Sequence, residues 1–291
     1  MATLPRCIAL VTGASRGVGR GIAESLGEAG ATVYVTGRSG DGVRSLENLP
    51  GTIEETAERV NELGGHGIPV RCDHTDDDQV EALFMRIRDE AGRLDLLVNN
   101  VWGGYEGYGS AAFDAPFWVQ PMWRWRGMVD AGLRAHFTAS RMAAPMMIER
   151  KSGLIVNISS GDREHHYLGN AMYDTVKAGV DRMAFAMAQD LRAYNVAVVA
   201  VYPGFVRTER VAQHFEKAGE PVPDNTETAR YVGRAVAHLA ADANVMTRTG
   251  QTLLTGDLAR EYHFTDIDGR RPPPFDIAAA MEEEERAKGN G

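Results

Sequence analysis

The chain has 291 residues, 44% of them hydrophobic and 24% charged, with a net charge of −9 at neutral pH. That composition suits a globular protein with a core of its own and argues against nucleic acid as a main partner. Two cysteines in apolar runs, Cys7 and Cys72, show no metal or redox spacing and predict buried thiols in a reducing, cytoplasmic setting. The opening residues carry no signal-peptide pattern, and no apolar run is long enough to cross a bilayer, so no membrane partner is expected.

The run from Cys7 to Val11 reads as a strand buried on both faces of a parallel sheet. It ends in Thr12-Gly13-Ala14-Ser15-Arg16-Gly17-Val18-Gly19, and the helical pattern Ile22, Ala23, Leu26 follows. A strand, a glycine-rich turn and a helix N-terminus make a phosphate cradle, because glycine lets the backbone approach and the free N–H groups favour an anion. A second strand, Thr32 to Thr36, ends at Gly37-Arg38. An acidic residue at this place receives the ribose 2′-hydroxyl of NAD, whereas arginine accommodates a 2′-phosphate. Arg38, with Arg16 as a second cation, therefore points to NADP(H) over NAD(H).

A polar connection runs from Asp41 to Pro50, and Thr52 with Glu55 forms a capping box for a helix to about Leu63. A third strand, Ile68 to Cys72, ends at Asp73-His74; a helix with three-four apolar spacing follows from Thr75. Leu94 to Val98 is a fourth strand, ending in Asn99-Asn100. Strands alternating with helices predict an α/β fold: one doubly wound Rossmann-type domain over residues 1–260, its seven-stranded parallel sheet flanked by helices.

Residues 101–125 hold all four tryptophans, Trp102, Trp118, Trp123 and Trp125, together with Tyr105, Tyr108, Phe113 and Phe117. Glycines and prolines break any period, so this is a long functional loop, either an aromatic wall for an apolar substrate or a subunit contact. A long helix is expected over 122–149, bent at Gly132 or Pro145. A fifth strand reaches Ser160, a helix runs over 172–194, and a sixth strand, Val196 to Val201, closes at Pro203-Gly204. Phe205 to Asn225 reads as weak helix and loop, a helix spans Thr226 to Ala241, and Thr252 opens the seventh strand. The segment 261–291, with Pro272-Pro273-Pro274 and the acidic run after Met281, reads as a polar, solvated C-terminal tail.

Tyr173 and Lys177, four apart, share one helix face, and Ser160 arrives from the preceding strand. Together they offer an acid/base phenol, a cation to tune it and a donor for a carbonyl oxygen. With Thr12-Gly-x-x-x-Gly-x-Gly, Asp73, Asn99-Asn100 and Pro203-Gly204 with Thr208, these residues resemble the short-chain dehydrogenase/reductase family in order and spacing over about residues 5–260. The resemblance implies an NADP-preferring carbonyl reductase or alcohol dehydrogenase acting on a small, fairly apolar ketone or secondary alcohol. Ser160, Tyr173 and Lys177 are its implied catalytic residues. Thr12 to Gly19 would hold the pyrophosphate, Asp73 and His74 the adenine, and Asn99 the centre of the cofactor. Lys177 would also hold the nicotinamide ribose, and Pro203, Gly204 and Thr208 would close on the nicotinamide. Helices 122–149 and 172–194 would build a homodimer or homotetramer.

Three departures from that pattern stand out. Trp102 lies where the family has glycine, and Gly132 where it has an asparagine that relays protons to the lysine. Glu164-His165-His166-Tyr167 occupies a loop that faces substrate in the family, with substrate contact favoured over a metal for the adjacent histidines. The alternative to an enzyme is an NADP-binding sensor or scaffold that keeps the fold without turnover.

Overall fold

Seven parallel strands make the central sheet in the order β3-β2-β1-β4-β5-β6-β9. In chain order they are β1 Ile8–Val11, β2 Thr32–Gly37, β3 His66–Arg71, β4 Leu96–Asn99, β5 Gly153–Ile158, β6 Val196–Tyr202 and β9 Thr252–Leu254. In a separate two-stranded pair, β7 Val206–Arg207 lies in the segment read from sequence as weak helix and loop, and β8 Glu227–Thr228 takes the first turn of the helix expected from Thr226. This computed structural model describes residues 2–40, 42, 49–107 and 111–279. Tyr108, most of the 41–50 connection and the acidic run after Met281 fall outside them.

Period-two side-chain direction builds two cores on one sheet. Ala197, Val199 and Val201 of β6 join one cluster, and Val196, Val198 and Ala200 join the other. On the first face lie α1 Gly17–Glu28, α2 Ile53–Glu62 and α8 Ala229–Ala241; on the second lie α3 Asp77–Ala91, α5 Ala135–Arg150 and α6 Ala171–Leu191. A sheet covered on both faces explains why its strands read as continuous apolar runs.

The capping box holds: the Thr52 hydroxyl accepts from the Glu55 N–H, and the Glu55 carboxylate accepts from the Thr52 N–H. The expected long helix divides into α4 Met122–Met128, a wide π-turn over Val129–Arg134 and α5. The break falls at Ala131, next to Gly132, whereas Pro145 rides inside α5. Between β7 and β8 lies α7 Glu209–Ala218, and α9 Thr255–Glu261 follows β9.

The described residues beyond α9, 262–279, are not a solvated end. Phe264, Asp266 and Ile277 are buried, and Asp266 accepts from the N–H and hydroxyl of Thr228. The Ile277 N–H donates to Asp162, in the loop before α6.

Candidate active site

The parallel sheet sends Thr12, Arg38, Asp73, Asn100 and Ser160 to one edge, beyond the carboxyl ends of β1 to β5. The Thr12 hydroxyl accepts from the N–H groups of Asn100 (2.9 Å) and Val101 (3.2 Å). The Asn100 amide donates to the carbonyls of Thr12 and Gly13, both at 3.0 Å, and so locks the turn. Gly13 and Gly17 have φ of +65° and +57°. A Cβ at Gly13 would come within 2.8 Å of Val101 Cα, so both backbone shape and close approach require glycine there. Ser15 is buried beside the turn, and Arg16 donates to the carbonyls of Pro50 (3.0 Å) and Gly51 (2.8 Å).

The Gly17 N–H, at the first turn of α1, donates to Glu209 Oε2 at 2.8 Å. A carboxylate oxygen thus occupies the anion position of the cradle. Thr208 caps α7 by accepting from the Val211 N–H, and its methyl lies 3.6 Å from where a Cβ on Gly17 would be. The segment after Pro203-Gly204 therefore folds back over the glycine turn. The Gly204 N–H donates to Glu227, whose carboxyl is pushed up to about 8 by burial.

Arg38 pairs with Glu106 and lies 3.9 Å from Asp73. Asp73 accepts from the N–H and hydroxyl of Thr75. The His74 ring does not reach this edge: it is buried against the Thr36 hydroxyl at 2.8 Å, and burial lowers its pKa to about 4. Asn99 is also interior, donating to Ser140 and Asn157 and tying β4 to α5 and β5. Its neighbour Asn100 is the one that braces the cradle.

The structure brings Ser160, Tyr173 and Lys177 together. Asn170 caps α6 by accepting from the Tyr173 N–H, which sets the tyrosine in the first turn with Lys177 one turn on. Ser160 and Tyr105 both hydrogen-bond the Tyr173 hydroxyl. Burial raises that phenol above its ordinary pKa, and the two hydrogen bonds pull the other way. The Lys177 ammonium lies 5.6 Å from the Tyr173 ring centroid but 4.3 Å from the Trp102 ring centroid. Burial lowers Lys177 to about 8, opposed by the charge of Asp181.

Asp181 is a residue that the sequence reading missed, although Lys177 and Asp181 stand at helical i, i+4 spacing. It accepts from the Tyr202 hydroxyl at 2.6 Å, and the Ser159 hydroxyl donates to the Lys177 carbonyl at 3.2 Å, so α6 is tied by polar contacts both to β6 and to the residue after β5.

The aromatic loop divides. Trp102, Tyr105 and Phe113 surround Tyr173 at centroid distances of 5.4, 6.2 and 5.6 Å, forming a wall. Phe117, Trp118, Val119, Met122 and Trp123 face outward. Between these two sets Arg124, fully buried, donates to the carbonyls of Ala111 (2.7 Å) and Ala112 (2.9 Å). In the histidine loop, Asp162 accepts from His166 Nδ1 at 2.7 Å and from the N–H groups of Glu164 and His166. That carboxylate raises the His166 pKa. His165 adopts a left-handed backbone (φ +57°), and Tyr167 is exposed.

Comparison with known proteins agrees with this geometry. The family described as short chain dehydrogenase matches residues 7–219. The chain is 38% identical to dehydrogenase/reductase SDR family member 1 of Mus musculus over 275 residues, 90% of this chain and 84% of that protein. It is 30% identical to the 3-oxoacyl-acyl-carrier-protein reductase of Staphylococcus aureus, over 84% of this chain and 94% of that one. A crystal structure of a short chain dehydrogenase from Mycobacterium thermoresistibile superposes with a TM-score of 0.78 at 25% identity, covering 94% and 95% of the two chains.

Proposed function

Because this chain belongs to the short-chain dehydrogenase/reductase family, and is thereby an oxidoreductase that works with a nicotinamide cofactor, we propose that it reduces a fairly apolar ketone with NADPH, Tyr173 supplying the proton. The observation that carries this reading is the Tyr173 hydroxyl, hydrogen-bonded to Ser160 and kept neutral by burial, beside a buried Lys177. A neutral phenol is a proton donor, which suits reduction.

The cradle fits a dinucleotide. A Cβ would fill it at Gly13, and an anionic oxygen already sits on the Gly17 N–H. Thr12 to Gly19 would hold the pyrophosphate, Lys177 the ribose next to the nicotinamide, and Pro203 to Thr208 the nicotinamide end. Arg38, at the end of β2, supports preference for a 2′-phosphate. When bound, the cofactor supplies the hydride. The protein's own part is to hold the carbonyl oxygen at Ser160 and Tyr173, deliver the phenolic proton to it and keep water out with the Trp102–Tyr105–Phe113 wall. That wall, rather than any charged group, is the support for an apolar substrate. His165, His166 and Tyr167 line the entrance side in this reading, with His166 oriented by Asp162.

The reading extends to assembly and location. Exposed Phe137 on α5 and Phe185 on α6 support a homodimer or homotetramer through these helices. A cytoplasmic location belongs to the same reading; no helix among the described residues is long and apolar enough to cross a membrane. A panel of apolar ketones with NADPH tests the whole. Tyr173→Phe should lower kcat by about a thousandfold or more while NADPH still binds. Turnover indifferent to Tyr173→Phe would remove the tyrosine from the chemistry, and turnover absent from the wild type would favour the cofactor-binding scaffold instead.

A further inference from the structure

The two departures at positions 102 and 132 are one feature. A Cβ built on Gly132 would lie 2.8 Å from Trp102 Cζ3 and 2.9 Å from Cε3, closer than carbon atoms pack. The indole therefore stands in the volume that any larger residue at 132 would need. The backbone around the ring is adapted to it as well. A Cβ on Gly104 would meet the same indole at 2.6 Å, and one on Gly103 would meet Ala131 Cβ at 2.8 Å. Opposite them, the helix opens into the π-turn 129–134, where Ala131 leaves helical geometry at φ −95°, ψ 19°. Such turns interrupt helices where a side chain has to be accommodated, and they recur at functional sites.

The seated ring touches both members of the acid/base pair. Its face carries the Lys177 ammonium 4.3 Å from the ring centre, and it meets the Tyr173 ring edge-on at 5.4 Å and 88°. Hydrogen bonding does little to fix that ammonium, since its contact with the Ile158 carbonyl is long at 3.4 Å. An indole face is the strongest aromatic partner for a cation, and a buried site strengthens the attraction.

We propose that Trp102 is the positioning residue for Lys177, and that Gly132 exists in this chain to admit its ring. The indole sets the ammonium on its face and the catalytic phenol against its edge, so one side chain fixes the spacing of the pair. This rests on Tyr173 and Lys177 being the acid/base pair; the seat of the ring at Gly132 does not.

The test uses the full chain as wild type, Gly132→Ala, Trp102→Phe, the double variant and Trp102→Leu. Thermal unfolding reads the seat. Gly132→Ala should lower Tm by several degrees, and the double variant should recover at least half of that loss relative to Trp102→Phe alone. Strictly additive effects, or a Gly132→Ala variant with the wild-type Tm, overturn the seat. The Lys177 pKa, read by NMR of lysine labelled at Cε and assigned with Lys177→Arg, tests positioning without turnover. Trp102→Leu keeps an apolar side chain there but offers no π face, and should lower that pKa by roughly half to one and a half pH units. Trp102→Phe should fall in between. A Lys177 titration unmoved or raised in Trp102→Leu overturns the positioning role. Loss of Tyr173-dependent turnover in the wild type would sink the catalytic reading alone, leaving both measurements decisive for the ring.

Discussion

The carboxylate of Glu106 sits on the guanidinium of Arg38, one residue along from the tyrosine whose hydroxyl reaches Tyr173. A 2′-phosphate on Arg38 therefore has to displace a carboxylate. Arg38→Ala should weaken NADPH binding about tenfold or more beyond any loss for NADH, the worth of one charge-assisted phosphate contact. Glu106→Gln should do the reverse, tightening NADPH several-fold by removing the competitor. Dissociation constants for both cofactors check this. Equal losses for NADPH and NADH in Arg38→Ala would mean that Arg38 does not read the phosphate.

Lys177 and Asp181 set a pH dependence. With Lys177 lowered to about 8 by burial, the free enzyme carries the ammonium below that pH and loses it above. The value of kcat/KM should fall on the alkaline side with a midpoint near 8. Asp181 opposes the lowering, so Asp181→Asn should move this limb to lower pH. A limb that stays in place would show that Asp181 serves only Tyr202.

Much of this site was legible because its signals are local. The glycine turn, the capping box and the Tyr173–Lys177 spacing each lie within one turn or one helix, where residue type dictates geometry. The destination of Trp102 was not legible. Its ring is placed by Gly132, thirty residues away, and nothing in either neighbourhood encodes that meeting. Asn99 and Asn100 look equivalent in sequence, yet strand alternation turns the first inward and leaves the second on the cradle. Residues 262–279 were misread because their anchors, Phe264, Asp266 and Ile277, follow no period, and three prolines hide them. The phenol's raised pKa depends on depth of burial, which a pattern of four residues does not carry.

Glu227 offers a stability test with a defined sign. Burial raises its folded pKa from 4.5 to about 8. A carboxyl that holds its proton more tightly when folded contributes stability that is complete below about pH 4.5 and lost as pH rises through about 8. Glu227→Gln keeps an acceptor for the Gly204 N–H but has no charge to bury. Its Tm advantage over wild type should be small at pH 4.5, grow through neutrality and level off above pH 8. Melting curves across that range check it; a pH-independent difference would mean that Glu227 titrates normally.

Arg124 holds the inner half of the aromatic loop by its hydrogen bonds to Ala111 and Ala112. Arg124→Met keeps the length and removes the donors. It should cost about 2–3 kcal/mol of stability, the range for hydrogen bonds to a charged group. Phe113 should also lose its fixed place on Tyr173, so KM for the ketone should rise more than kcat falls. Denaturant unfolding and steady-state kinetics measure both, and an unchanged KM would show that the wall does not depend on Arg124.

Asp162 accepts at once from the histidine loop and from Ile277, so the last described turn of the chain and the rim of the site share a single carboxylate. Ile277 is therefore tied to the loop that carries His166 across 115 positions of sequence. A change that unseats Ile277 would be felt by that histidine as well, so a substitution far along the chain can act on the orientation of the loop.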